Sequence, residues 1–225
     1  MNIVNMLLEL KRSVETATVQ GDFLLSVNKF SHRWVFLEEL WRDPTPELVR
    51  DILKVVLRNF LAELGPFTVF AAGSFTGTSE EESPVYVICR EAIQSLGLDE
   101  IKLLKMIVEP PTHPESGDET PPGQYVGVFA LSIHVELIKQ IVGVLRARNC
   151  EVNSVVTVVE REPFSRSELS RLGIELIPMI FVDEASGRLQ TILETSTWPY
   201  HTAHKYFVER VPETSKHRHT YLRAS

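Results

Sequence analysis

The sequence predicts an α/β fold built on a mostly parallel central sheet, and two observations predict it. Residues 124–162 read as strand, short loop, helix and strand. The apolar run Tyr125-Val126-Gly127-Val128-Phe129-Ala130 is followed by Leu131-Ser132-Ile133-His134, then an amphipathic helix through Val144-Leu145-Arg146, then Val155-Val156-Thr157-Val158-Val159. That is the sequence form of a βαβ unit. The second observation is that both runs are continuously apolar rather than alternating, as parallel strands covered on both faces must be. In such folds ligands bind beyond the carboxyl ends of the strands, and a phosphate site there needs glycines or small hydroxyl residues ahead of a helix N-terminus. Here the loop has no glycine before Gly143. The loop stands in the right place without the usual chemistry.

Composition narrows the class. The 225 residues suffice for one sizeable domain, or one with a small appendage, and 44% hydrophobic and 24% charged residues with mean hydropathy near zero describe a globular chain. A net charge of −7 argues against broad attraction to nucleic acid or anionic lipid. The apolar start is broken by Glu9, Lys11 and Arg12 before a secretory core forms, and no run approaches a membrane span. Cys89 and Cys150 each fall in or at the end of an apparent helix and read as buried, reduced thiols, so a cytoplasmic protein is expected.

The elements follow in order. Residues 2–19 carry Val4, Leu7, Leu8, Leu10 and Val14 at helical spacing, and Gly21 ends the helix. Residues 21–27 and 34–37 read as strands separated by the turn residues Asn28 and Lys29. Asp43-Pro44-Thr45-Pro46-Glu47 starts a helix with Leu48, Ile52, Val55, Val56, Phe60 and Leu61 on one side, stopped by Gly65-Pro66. Residues 67–72 form a core strand that runs into Gly73-Ser74-Phe75-Thr76-Gly77-Thr78-Ser79, a small, hydroxyl-rich loop suited either to cradling an anion or to a plain solvated turn. Glu80, Glu81 and Glu82 set negative charge beside it, which suits a helix start and opposes phosphate. A helix over 84–96, closed by Gly97, precedes a strand over 101–108. Residues 109–123 hold five prolines among Glu115, Asp118 and Glu119, the composition of a mobile surface loop. After the βαβ unit come a helix over 165–172, a last strand over 174–182, and a tail rich in aromatic residues and histidine.

This order, read with particular residues, resembles the orotate phosphoribosyltransferases and the wider type I phosphoribosyltransferase superfamily. Gly21, Phe23, Leu25 and Ser31 fall where that family has its glycine-phenylalanine strand, Leu64-Gly65-Pro66 precedes the core strand, and residues 73–79 occupy the place of its pyrophosphate loop. Val159-Glu160-Arg161-Glu162, Ser167-Glu168-Leu169, Gly173-Ile174-Glu175-Leu176 and Asp183-Glu184 are similar to its C-terminal half, so the likeness spans residues 16–184. It implies an N-terminal helix/strand hood over residues 1–45, an α/β core with helices flanking the sheet over 46–190, and a C-terminal extension over 191–225. It also implies a homodimer or a subunit of a larger complex, with a nucleotide or sugar phosphate as ligand and Gly73, Ser74, Thr76, Gly77, Ser79, Ser132 and His134 as candidate binding residues.

The departures fall on the family's catalytic parts. Phe129-Ala130 stand where it has two acids for the ribose hydroxyls, and Ile133-His134-Val135-Glu136-Leu137 stand on its phosphate cradle. Branched side chains and an anionic Glu136 crowd and repel a phosphate. Ser26 replaces the family's N-terminal lysine, and Asn28 replaces a glycine. Residues 109–123 are acidic, with His113 but no lysine, where orotate enzymes carry a basic catalytic loop. The expectation is therefore a pseudoenzyme, without cofactor, that keeps the scaffold for ligand sensing or protein assembly in a regulatory system or a bacterial defence cassette. The alternative is an enzyme of altered chemistry at an N-glycosidic bond, with His134 and Glu136 as acid–base pair beside Ser132 and Mg2+ as cofactor. His201 with His204, or His217 with His219, make no complete metal set. Nucleic acid enters only through the basic end, Lys216, His217, Arg218, His219 and Arg223.

Overall fold

A computed structural model describes residues 1–26, 29–74, 82–107, 115–116, 120–131, 135–160, 164–183, 186–194 and 200–208. Helix α1 (Ile3–Thr16) starts at Asn2, whose side chain accepts the Asn5 N–H at 2.9 Å, and it buries Ile3, Met6, Leu7, Leu10 and Val14. Strands β1 (Thr18–Ser26) and β2 (Lys29–Val35) pair antiparallel as a separate two-stranded sheet. The expected strand over 34–37 ends at Val35. Phe36 instead precedes the single turn α2 (Leu37–Leu40), whose Glu38 and Glu39 suit a helix start. The long helix α3 (Thr45–Leu64) ends at Gly65, which takes a φ of 73°.

Then come β3 (Phe67–Ser74), α4 (Pro84–Leu96), β4 (Ile101–Ile107), β5 (Glu115–Ser116) and β6 (Gly123–Leu131), followed by α5 (Val135–Ala147), β7 (Cys150–Glu160), α6 (Phe164–Ser170), β8 (Glu175–Val182) and β9 (Leu189–Thr191). The sheet order is β5-β4-β3-β6-β7-β8-β9. The inner strands β4, β3, β6, β7 and β8 run parallel, and β5 and β9 close the two edges antiparallel. Cys150 opens β7 rather than ending a helix, because Asn149 takes a positive φ of 60° and turns the chain there. Both cysteines are free and buried, as expected. Within the proline-rich stretch, Glu115 and Ser116 pair with Ile107 and Met106, so part of that stretch is strand rather than loop.

Helices α1, α3 and α4 cover one face of the sheet, against Val69, Ala71, Val126, Val128 and Met179. Helices α5 and α6 cover the other, against Phe70, Leu104, Met106, Phe129 and Val155. Burial on both faces is what makes β6 and β7 read as unbroken apolar runs. The aromatic tail returns to its own domain through a 3-10 segment (Tyr200–Phe207) laid on α3. Asn59 donates to the carbonyl oxygens of Tyr206 at 2.7 Å and Val208 at 2.9 Å, and the Tyr206 ring stacks on Phe60 at 4.1 Å. A buried amide satisfied twice over is an anchor specific to this pairing.

Candidate functional site

Parallel strands deliver their carboxyl ends to one edge, and the chemistry of that edge is the chemistry of the candidate site. Strand β3 brings Gly73 and Ser74 there, with Ser74 opposite Ile107 of β4. Strand β6, next in the sheet, ends in Phe129, Ala130 and Leu131. Strand β7 ends at Glu160, one residue beyond Val159, the partner of Leu131.

The end of β6 is core. Phe129 is 3% exposed and meets Phe70 edge to face, with ring centroids 6.0 Å apart and planes at 80°. The packing depends on Gly127: a Cβ there would lie 2.7 Å from Cζ of Phe70 and 3.0 Å from the Phe129 ring. A glycine inside a strand marks such a close approach, and it was the signal in the sequence for this contact. Leu131 is buried as well. A carboxylate at position 129 would be enclosed among hydrocarbon, at a cost of several kcal/mol, while Ala130 is part-buried.

The end of β7 is charged, and the charge is engaged. Glu160 is 1% exposed, and its Oε2 accepts from Nη2 of Arg166, in α6, at 2.5 Å. Such a pair holds the strand end against the helix and is costly to break from one side. In the sequence Glu160 stands out only as part of the stretch that resembles the family's C-terminal half, and its partner six residues on becomes visible only with the fold.

Among the predicted site residues, Gly73 and Ser74 lie at the edge. Thr76, Gly77, Ser79, Ser132 and His134 fall outside the described residues. Glu136 sits in the first turn of α5 with its side chain 73% exposed, bonded to Lys139 at 2.9 Å. Lys139 also donates to Glu168 at 2.8 Å, and its hydrogen bonds to Glu168 and Glu136 hold it protonated above the ordinary lysine range. Glu136 is thus a solvated member of an ion-pair chain joining α5 to α6. An open groove of about 470 Å3 lies between α1, β1 and β9, lined by Lys11, Glu15, Gln20 and Arg188. Among the described residues no three potential ligands gather as a metal site would require. No helix there is long and apolar enough to cross a membrane.

No family model matches the sequence, and no curated protein matches it. Solved structures do. Orotate phosphoribosyltransferase from Aeropyrum pernix superposes with a TM-score of 0.53 at 20% identity, covering 77% of this chain and 91% of that one. The Mycobacterium tuberculosis H37Rv orotate phosphoribosyltransferase, solved with inorganic phosphate, gives 0.53 at 17% identity over 77% of this chain and 94% of its own. Adenine phosphoribosyltransferase from Saccharomyces cerevisiae gives 0.52 at 10% identity, over 76% and 98%. The chain therefore has the type I phosphoribosyltransferase fold. Orotate phosphoribosyltransferases are among the structures that share it, in line with the resemblance stated over residues 16–184. At these identities the likeness concerns the fold alone.

Proposed function

We propose that this chain is a phosphoribosyltransferase-like pseudoenzyme that uses the scaffold for ligand sensing or protein assembly, as a homodimer or as a subunit of a larger complex. The observation that carries the reading is Phe129, 3% exposed and locked against Phe70 at the strand end where sugar-binding acids are expected. A ribose diol needs acceptors there, and a magnesium ion needs oxygen ligands. Phe129, Ala130 and Leu131 offer neither from their side chains, so the residues at this strand end do not fit the metal. Glu160, at the end of the neighbouring strand β7, is already bonded to Arg166. The altered-chemistry alternative gains no support from Glu136, which stands in solvent on Lys139.

The test is incubation of the full chain with phosphoribosyl pyrophosphate, Mg2+ and orotate, uracil or adenine, with product followed by chromatography. No nucleotide is expected, and sustained turnover overturns the reading. A thermal-shift screen of nucleotides and sugar phosphates, run beside light scattering, then separates the two roles. A ligand-dependent rise in melting temperature marks a sensor, whereas a stable oligomer indifferent to every ligand marks an assembly module.

A further inference from the structure

Four side chains beside α4 and β4 form a cluster that the reading above leaves unused. Nζ of Lys105 stands 5.2 Å from the centroid of the Tyr86 ring, and Cζ of Arg90 stands 5.8 Å from the same centroid. Two cations sharing one ring repel each other, and the negative face of the ring offsets part of that cost. Glu82 supplies the rest: its Oε2 accepts from Nη1 of Arg90 at 2.5 Å and its Oε1 from Nζ of Lys105 at 3.4 Å.

Three features separate this cluster from an ordinary surface ion pair. Its members come from three places, with Lys105 on β4, Arg90 and Tyr86 on α4, and Glu82 just ahead of that helix, so the fold had to assemble it. Among the described residues its charges do not cancel, because two cations face one carboxylate. Among the described residues its donors are also in excess: Arg90 spends one of its five N–H groups, and Lys105 spends one of its three on a long contact. The two oxygens of Glu82, each facing one cation, occupy the positions that two oxygens of a tetrahedral anion would take. Among the described residues, a second negative charge would complete the neutralisation that the Glu82 carboxylate leaves unfinished. The hydrogen bond from Arg90 outweighs desolvation and holds the Glu82 carboxyl below its usual range, so it is ionised at neutral pH. All three charged side chains are half-buried, within reach of solvent.

We propose that Arg90 and Lys105, aligned on Tyr86, form a binding site for a phosphate dianion, free or as a phosphomonoester, and that Glu82 occupies this site as an internal carboxylate until the ligand displaces it. The cation pair lies on the α4 side of the sheet, away from the Phe129 packing, and does not depend on whether the strand edge catalyses transfer. Turnover with phosphoribosyl pyrophosphate would overturn the earlier reading and leave this one standing.

The full chain is titrated at constant ionic strength with inorganic phosphate and, separately, with methyl phosphate, followed by calorimetry and by the chemical shifts of the Tyr86 ring. Saturable binding is expected, tightened about tenfold by Glu82→Gln, which removes the competing charge, and weakened about tenfold or more by Arg90→Gln or Lys105→Gln. Acetate at equal concentration is expected to leave the Tyr86 signals in place. Binding of both probes identifies a phosphomonoester site, and binding of inorganic phosphate alone identifies a free-phosphate site. Circular dichroism checks folding of each variant, and Lys105→Arg, which keeps the charge, is expected to retain binding. Absence of saturation up to tens of millimolar, or equal affinity in wild type, Glu82→Gln and Lys105→Gln, overturns the proposal.

Discussion

Strands β6 and β7 lie side by side and reach the same edge, yet they end in opposite ways. The end of β6 is hydrocarbon, Phe129-Ala130-Leu131, packed into the core. The end of β7 is a carboxylate, Glu160, enclosed to the same degree and neutralised by Arg166 from the helix that follows. An edge that grips a sugar phosphate must hold acids and donors unspent until the ligand arrives. Here one strand end has no charge to offer, and its neighbour has a charge already used within the protein. The fold survives this because a parallel sheet requires apolar residues on both faces, and nothing in that requirement depends on the chemistry of the edge.

The sharpest way to break the contrast is Phe129→Asp. It removes a fully packed ring and encloses a charge, and the expected loss is about 5 kcal/mol or more, read by urea unfolding. A variant that folds with near wild-type stability would show that the end of β6 is an open crevice after all. Next in size is Glu160→Gln, which removes the enclosed carboxylate that accepts from Arg166, for an expected loss of about 3 kcal/mol. A double-mutant cycle with Arg166→Met sharpens the point. The coupling is expected to exceed 1 kcal/mol, and strict additivity would remove the pair from the account.

Gly127→Ala probes the packing beneath Phe129, because the added methyl would lie 2.7 Å from Cζ of Phe70. A loss of about 2 kcal/mol is expected, largely restored by Phe70→Leu in the same chain. The smallest effect belongs to Glu136→Ala at the solvated start of α5, where stability is expected to change by no more than about 0.5 kcal/mol. A loss of several kcal/mol there would place Glu136 among the interior residues of the edge and revive its pairing with His134.

The parts of this architecture that could be read in advance are those with a local signature. Helices α1, α3, α4 and α5 declared themselves by apolar spacing, and α3 and α4 by glycines just past their ends. Strands β3, β4, β6, β7 and β8 declared themselves by apolar runs. The pieces that escaped, α2, β5 and β9, have four, two and three residues, too few to establish a period. The site divides in the same way. That Phe129-Ala130 stand where the resemblance puts an acid pair needed only the order of residues along the chain. That Glu136 would face solvent rather than the edge depended on the rotation of α5 against the sheet, which its own residues do not state.

By itself, then, the amino-acid order determined the α/β class, the succession of the main elements and the absence of carboxylates from the end of β6, because period, hydrophobicity and residue identity are properties of short stretches. Tertiary structure alone decided what those residues do. It set Phe129 against Phe70 across Gly127, Glu160 on Arg166, Glu82 between Arg90 and Lys105, and Asn59 on a segment 147 residues further along the chain. Each of these contacts depends on strand register and on how helices cross the sheet, and those are settled only when the whole core packs at once.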